Sequence, residues 1–179
     1  AFHRYKKSHR LLDKKKGGGA IFDLGGYVLS TCRKILEDSL KKQLNFKISN
    51  AKGKIGKTNV DEHSFLSLDF EGDIEVHLEC SLIKQLENNI KIKGSEGIIT
   101  LTQPWSPRET AEIIIENRKG KKLLKSGTKK NPYIHEIEFF NRVIKSKEST
   151  LRKIKEDALI DIKKNTETLV VWNQKLKEL

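Results

Sequence analysis

The sequence predicts an α+β domain, an open, mainly antiparallel β-sheet with helices packed on one face. Three observations carry that expectation. Ile21, Leu24, Val28, Cys32 and Ile35 recur at spacings of three and four, the mark of a helix from about Gly19 to Leu36 with one buried stripe. Ile74, Val76, Leu78, Cys80 and Leu82 then alternate with Glu75, His77, Glu79 and Ser81, a strand with one core face and one polar face. After several more strand-like runs the helical period returns between Tyr133 and Leu176. Helix, strand block and helices in that order place the helices on one face of an antiparallel sheet and leave the other face open or paired with another subunit.

Each element has its own local reason. Ala1 to Tyr5 reads as a short strand or its end, followed by a basic loop to Lys16. From about Asn45 the period turns to two, and Ser64 to Phe70 sets Leu66, Leu68 and Phe70 on one side. Glu71-Gly72-Asp73 joins that run to the next as a tight hairpin turn. Asn89 to Lys93 and Ile98 to Thr102 pair around Gly94-Ser95-Glu96-Gly97. Ala111 to Glu116 and Lys121 to Leu124 pair around Asn117-Arg118-Lys119-Gly120. Asn131-Pro132 opens a helix carrying Tyr133, Ile137, Phe140 and Ile144 on one stripe. Ile154, Ala158, Ile162, Leu169, Trp172 and Leu176 mark a longer one.

At 179 residues the chain is expected to form one domain, 1–179, large enough to bury a core without staples. It begins at Ala1 and has no methionine, so it is not expected to be a complete native reading frame. Cys32 and Cys80 are its two cysteines; both fall on apolar faces, and their separation argues for a reducing cytoplasm over a disulfide framework. No apolar run approaches the length of a membrane span, and no secretory signal opens the chain. Membrane partners are therefore not expected. The net charge of +12 raises nucleic acid as a partner. The lysines and arginines, however, are scattered in short clusters in turns and on solvent faces, with no aromatic ladder or helix-turn-helix signature beside them. A solvated surface is the reading adopted, and no nucleic acid is expected.

Several tempting motifs fail on spacing. Gly56-Lys57-Thr58 resembles the end of a phosphate loop, but Ala51 stands where the earlier glycine belongs, so it reads as a turn. Gly17-Gly18-Gly19 is followed by Phe22 where a dinucleotide fingerprint needs glycine or alanine. His3, His9, His63, His77 and His135 show no metal-ligand spacing, so no metal is expected. What remains is Arg10, Asp23 and Tyr27, the last two one helical turn apart behind the glycine run. Those glycines let either a ligand or another chain segment approach the helix start. A phenol can pass a proton to or from a hydroxyl or carbonyl oxygen. A carboxylate can orient a substrate hydroxyl or hold a cation, and an arginine can grip a polar substrate with its fork of donors. The plain alternative is a helix cap with two ordinary polar side chains.

The stretch from Arg10 through Gly17-Gly18-Gly19-Ala20-Ile21-Phe22-Asp23-Leu24-Gly25-Gly26-Tyr27 resembles the C-terminal domain of the glucose–fructose oxidoreductase, inositol dehydrogenase and MocA family. The likeness continues through Asp61 to Phe70, Glu75 to Ser81 and Ile90 to Leu101, and through Pro104-Trp105-Ser106-Pro107. It ends in Tyr133 to Phe140 and Glu156-Asp157-Ala158. Two positions depart from the family pattern. Gly26 stands where valine or isoleucine is usual, and Lys14 follows Asp13 in place of proline.

The resemblance implies an NAD(P)-dependent oxidoreductase acting on a sugar, sugar derivative or polyol. It assigns proton transfer to Tyr27, the role of its partner to Asp23, and a substrate-loop role to Arg10. It also implies that NAD or NADP is bound mainly by an N-terminal Rossmann domain absent from this chain, and that copies associate through the open sheet face. The chain alone is then expected to be inactive. Tyrosine at position 27, where other members carry histidine, points to the glucose–fructose oxidoreductase and dihydrodiol dehydrogenase branch. The competing expectation is a binding or dimerisation module that keeps the fold without the chemistry.

Overall fold

A computed structural model of the protein describes residues 9–127, 129 and 131–178. The expected strand at Ala1 to Tyr5 lies outside them. The chain divides into two compact units, one joining residues up to Leu86 with those from Asp157, the other running Glu87–Glu156.

The first unit opens with short 3-10 turns at Arg10–Leu12 and Lys14–Lys16, followed by a π-helical turn, Ile21–Gly25. That turn runs directly into helix α1, Gly26–Leu40. Strands β1 (Phe46–Ile55), β2 (Asp61–Phe70) and β3 (Ile74–Ser81) form an antiparallel sheet in that order. Leu66 lies between Ala51 and Leu78, and Leu68 between Ile48 and Val76. The alternation read from β3 is thus observed, with Leu78, Cys80 and Leu82 buried. β1 begins where the period turns to two, near Asn45, although a bulge between Ile48 and Asn50 interrupts the alternation. The extra residue returns Ala51 to the core face on which Ile48 also sits. Gly56-Lys57-Thr58 belongs to the β1–β2 turn, closed by Asn59 N–H on Gly56 O at 3.0 Å.

The core lies between this sheet, the start of α1 and the C-terminal part of helix α3 (Glu148–Lys175). Ile21, Leu29, Leu66, Leu68 and Trp172 are fully enclosed there. The buried stripe of α1 differs from the expected one: Ile21, Gly25, Leu29 and Arg33 face inward, while Leu24, Val28 and Cys32 pack at its edge. The wider π turn rotates every later residue relative to an α-helical projection, so the stripe shifts by one position. The shift buries an arginine. Arg33 Nη1 donates to Asn165 Oδ1 at 2.6 Å, and Nη2 to Glu37 Oε1 at 3.1 Å and Asp161 Oδ1 at 3.3 Å. That fork ties α1 to α3 where an apolar stripe was expected. Burial pushes the Cys32 thiol up to about 11 and Cys80 higher still, so both stay protonated and unreactive.

The second unit is a four-stranded antiparallel meander of β4 (Asn89–Gly94), β5 (Gly97–Thr102), β6 (Glu112–Asn117) and β7 (Gly120–Lys125). Helix α2, Pro132–Ile144, follows, its start capped by Asn131 Oδ1, which accepts from Tyr133 N. The α+β class is therefore observed, with its strands distributed over two sheets, three and four strands wide. The stripe read from α2 is present but outward: Tyr133, Ile137, Phe140 and Ile144 are exposed, Phe140 by 63%. Periodicity reports which residues share a helix face, and the face here has no cover. No helix among the described residues is long and apolar enough to cross a membrane.

Candidate functional site

The glycine run is a device for close packing. Gly17 closes the second 3-10 turn in the left-handed conformation, at φ 70°. A methyl on Gly18 would sit 2.6 Å from the carbonyl oxygen of Leu11, and one on Gly19 would overlap Asp61 Oδ1. Gly19 N donates to Leu11 O at 2.9 Å and Gly18 N to Asp13 O at 3.0 Å, so the arginine-bearing loop folds back on the glycines. Of the two occupants that the sequence left open, ligand or chain segment, the structure has the chain segment. Gly19→Ala, at φ 124° as well as against Asp61, is expected to cost about 1–3 kcal/mol of stability. Gly26→Ala is expected to gain about 0.5–1 kcal/mol, since its φ is helical and a methyl there meets only Leu169 Cδ1 at 3.9 Å. Urea denaturation of both variants checks the contrast.

This packing brings two of the three candidate residues together. Arg10 Nη2 donates to Asp23 Oδ1 at 3.0 Å, across thirteen positions of sequence. Asp23 lies within the π turn, its side chain 21% exposed, and its N–H donates to Gly19 O at 3.2 Å. Tyr27 is the second residue of α1 and is 60% exposed. The pair and the phenol thus share one helix start, with the phenol open to solvent.

Beneath them lies a residue that the sequence did not single out. Asp61, at the head of β2, is 1% exposed. Its Oδ2 accepts from Ile21 N at 2.8 Å and from Ser64 Oγ at 2.9 Å, and its Oδ1 from Asn173 Nδ2 at 3.4 Å. The available signal was Asp61-Glu62, two carboxylates opening a strand in which acids are poor formers. Burial raises the Asp61 carboxyl above its ordinary value, against the pull of the donors from Ile21 and Ser64. The folded chain then binds this proton more readily than the unfolded one. The linked stability is complete below the ordinary aspartate value and is lost as pH rises through the raised one. Across that window the wild-type denaturation midpoint is expected to fall relative to Asp61→Asn, which does not titrate; a constant difference refutes it.

No group of three or more His, Cys, Asp or Glu among the described residues is arranged to hold a metal. Nor does the glycine run fit a dinucleotide phosphate. The groups facing Gly18 and Gly19 are a carbonyl oxygen and a carboxylate, which repel an anion where a phosphate cradle presents N–H donors.

The sequence pattern of the GFO/IDH/MocA C-terminal domain matches residues 1–100, and the chain belongs to that family. Trans-1,2-dihydrobenzene-1,2-diol dehydrogenase of Bos taurus is 33% identical over 102 residues, 56% of this chain and 29% of the relative. The Xenopus tropicalis protein of the same name is 24% identical over 174 residues, 97% of this chain and 50% of its own length. A putative oxidoreductase from Erwinia carotovora atroseptica shares the fold at TM-score 0.63 and 14% identity, over 97% of this chain and 53% of that one. KijD10, a 3-ketoreductase from Actinomadura kijaniata solved with NADP and TDP-benzene, shares it at TM-score 0.61 and 16% identity, over 69% and 37%. The chain thus spans about half, or less, of the proteins it matches.

Proposed function

We propose that this chain is the substrate-binding part of an NAD(P)-dependent oxidoreductase acting on a sugar, sugar derivative or polyol. The observation that carries the reading is the Arg10–Asp23 ion pair at the foot of the helix presenting Tyr27. Tyr27 holds or passes the proton of the reacting oxygen, Asp23 orients that oxygen or its neighbour, and Arg10 grips a polar group of the substrate. The glycine run, filled by Leu11 and Asp61, does not receive the redox partner, which supports a source outside this chain. An N-terminal Rossmann domain that binds most of the NAD or NADP is the source we assign. The relatives' names, a diol dehydrogenase and a 3-ketoreductase held with NADP, support this class of reaction. Cys32 and Cys80 are free of any disulfide, which suits a cytoplasmic protein.

A second observation bears on partners. By register, Ile90, Ile92, Ile99, Leu101, Ile113, Ile115 and Leu124 share one face of the β4–β7 sheet with Lys122, and Lys91, Lys93, Thr100, Glu112 and Glu116 share the other with Ile98, Ile114 and Leu123. Ile99 is 37% exposed on the apolar side. A face of this kind supports a homo-oligomer formed through the open sheet, and it is also what favours the alternative, a dimerisation module without catalysis.

The test is turnover by the full-length protein with NADP or NAD, on trans-1,2-dihydrobenzene-1,2-diol and on a panel of pyranoses and polyols. Nucleotide reduction with one class is expected, and Arg10→Ala is expected to raise KM about tenfold, the worth of one charge-assisted contact. Absence of turnover, with a dimer that Ile99→Glu dissociates, would leave the module reading standing instead.

A further inference from the structure

We propose that Asp61 is a positioning residue for the Arg10–Asp23–Tyr27 group, a buried carboxylate that holds the helix start and the arginine loop in one register. The inference rests on the functional reading above. Three segments converge on this carboxylate: the backbone of the π turn through Ile21 N, β2 through Ser64 Oγ, and α3 through Asn173 Nδ2. Gly19 presses on its Oδ1, where a methyl would overlap it. Gly19 in turn receives Asp23 N–H on its carbonyl and donates its own N–H to Leu11, the neighbour of Arg10. The Arg10 loop and Asp23 are therefore tied through Gly19, ahead of Tyr27 on the same helix start, and Asp61 holds the adjoining Ile21 N–H.

The chemistry suits that task. A carboxylate sealed from water is costly unless donors surround it. Its hydrogen bonds to Ile21, Ser64 and Asn173 all come from neutral groups, and Ile21 N lies in the first turn of the helix start, whose positive dipole end favours an anion. Removing this acceptor releases the π turn and the Arg10 loop together, because the same glycine links both. A displacement of about 1 Å at Tyr27 is enough to lower turnover roughly 100-fold.

The full-length protein is prepared as wild type, Asp61→Asn, Tyr27→Phe and the double variant. Amide exchange at Ile21 and the NMR signal of the Arg10 guanidinium are read beside kcat and KM, using NADP and trans-1,2-dihydrobenzene-1,2-diol. In Asp61→Asn the Ile21 amide is expected to exchange about tenfold faster, the effect of one weakened charge-assisted hydrogen bond. The Arg10 signal is expected to move. The kcat is expected to fall roughly 10- to 100-fold with KM for NADP unchanged. Asp61→Asn is expected to add nothing further in the Tyr27→Phe background, since it acts through Tyr27. An unchanged Ile21 amide and Arg10 signal overturn the proposal, and so does an equal loss of kcat in both backgrounds, which is what general destabilisation produces. If the wild type does not turn over, or Tyr27→Phe turns over like it, the functional reading falls, and the two NMR signals alone decide the role of Asp61. Should Asp61→Asn not fold, Ser64→Ala removes one donor to the same carboxylate and is expected to shift both signals by a smaller amount. Signals unmoved there overturn the proposal as well.

Discussion

Tyr27→Phe in the full-length protein is expected to lower turnover by about 100- to 10,000-fold, the range over which one positioned proton donor or acceptor acts. The substitution removes a single oxygen from a ring that is already 60% exposed, so stability is expected to change little. The helix is unaffected, because the backbone carbonyl of Tyr27, which receives Ser30 Oγ at 3.3 Å, is retained. Nucleotide affinity is also expected to stay, since the nucleotide site is assigned elsewhere. Loss confined to kcat, with KM for the nucleotide constant, would identify an interaction made in the transition state. Turnover within a few-fold of wild type would remove Tyr27 from the chemistry. The Arg10–Asp23 pair would then be a loop fastener only.

Trp172→Ala carries the largest stability effect expected in the chain, about 3–5 kcal/mol. Trp172 is fully enclosed, and its ring lies where a methyl on Gly25 would meet Cζ3 at 3.1 Å. It therefore fills the space between α3 and the π turn that carries Asp23. Its Nε1 donates to Phe65 O at 3.2 Å, so truncation also deprives a carbonyl on β2 of its indole partner. Trp172→Phe keeps most of the ring volume and loses that bond, and is expected to cost about 1–2 kcal/mol plus a smaller packing loss. Denaturant midpoints for the two variants separate the packing contribution from the hydrogen bond. A domain is stable by only about 5–15 kcal/mol, so the alanine variant is expected to fold marginally. An alanine midpoint close to that of phenylalanine would mean that the space around Gly25 collapses and refills.

Much of the fold was legible because it is written in local patterns. β3 declared itself through five alternating apolar residues, and the turn at Glu71-Gly72-Asp73 set its pairing with β2. β4 to β7 followed from short apolar runs and their glycine turns, and α2 from Asn131-Pro132. β1 was legible only as the change of period near Asn45, because its bulge interrupts the alternation. Arg33 was missed for a different reason. In an α-helical projection it lies beside the stripe, and the π turn rotates it into the interior, where Asn165 and Asp161, more than a hundred residues on, supply its partners. The stripe on α2 was read correctly as a shared face, while its exposure was not readable, because periodicity carries no information about what lies opposite.

The candidate site divides along the same line. Arg10, Asp23 and Tyr27 are candidates by residue type and spacing alone, and the small residues before the helix are legible in the same way. The sequence by itself determined the α+β class, the glycine run and which side chains had chemistry to offer, since those follow from propensity and period within a few turns of chain. Only the tertiary structure decided that Asp61 and Leu11 occupy the space beside the glycines, that Arg10 reaches Asp23, and that Trp172 backs the turn they share. Those contacts join separate segments of the chain, and their existence depends on close packing that no local pattern encodes.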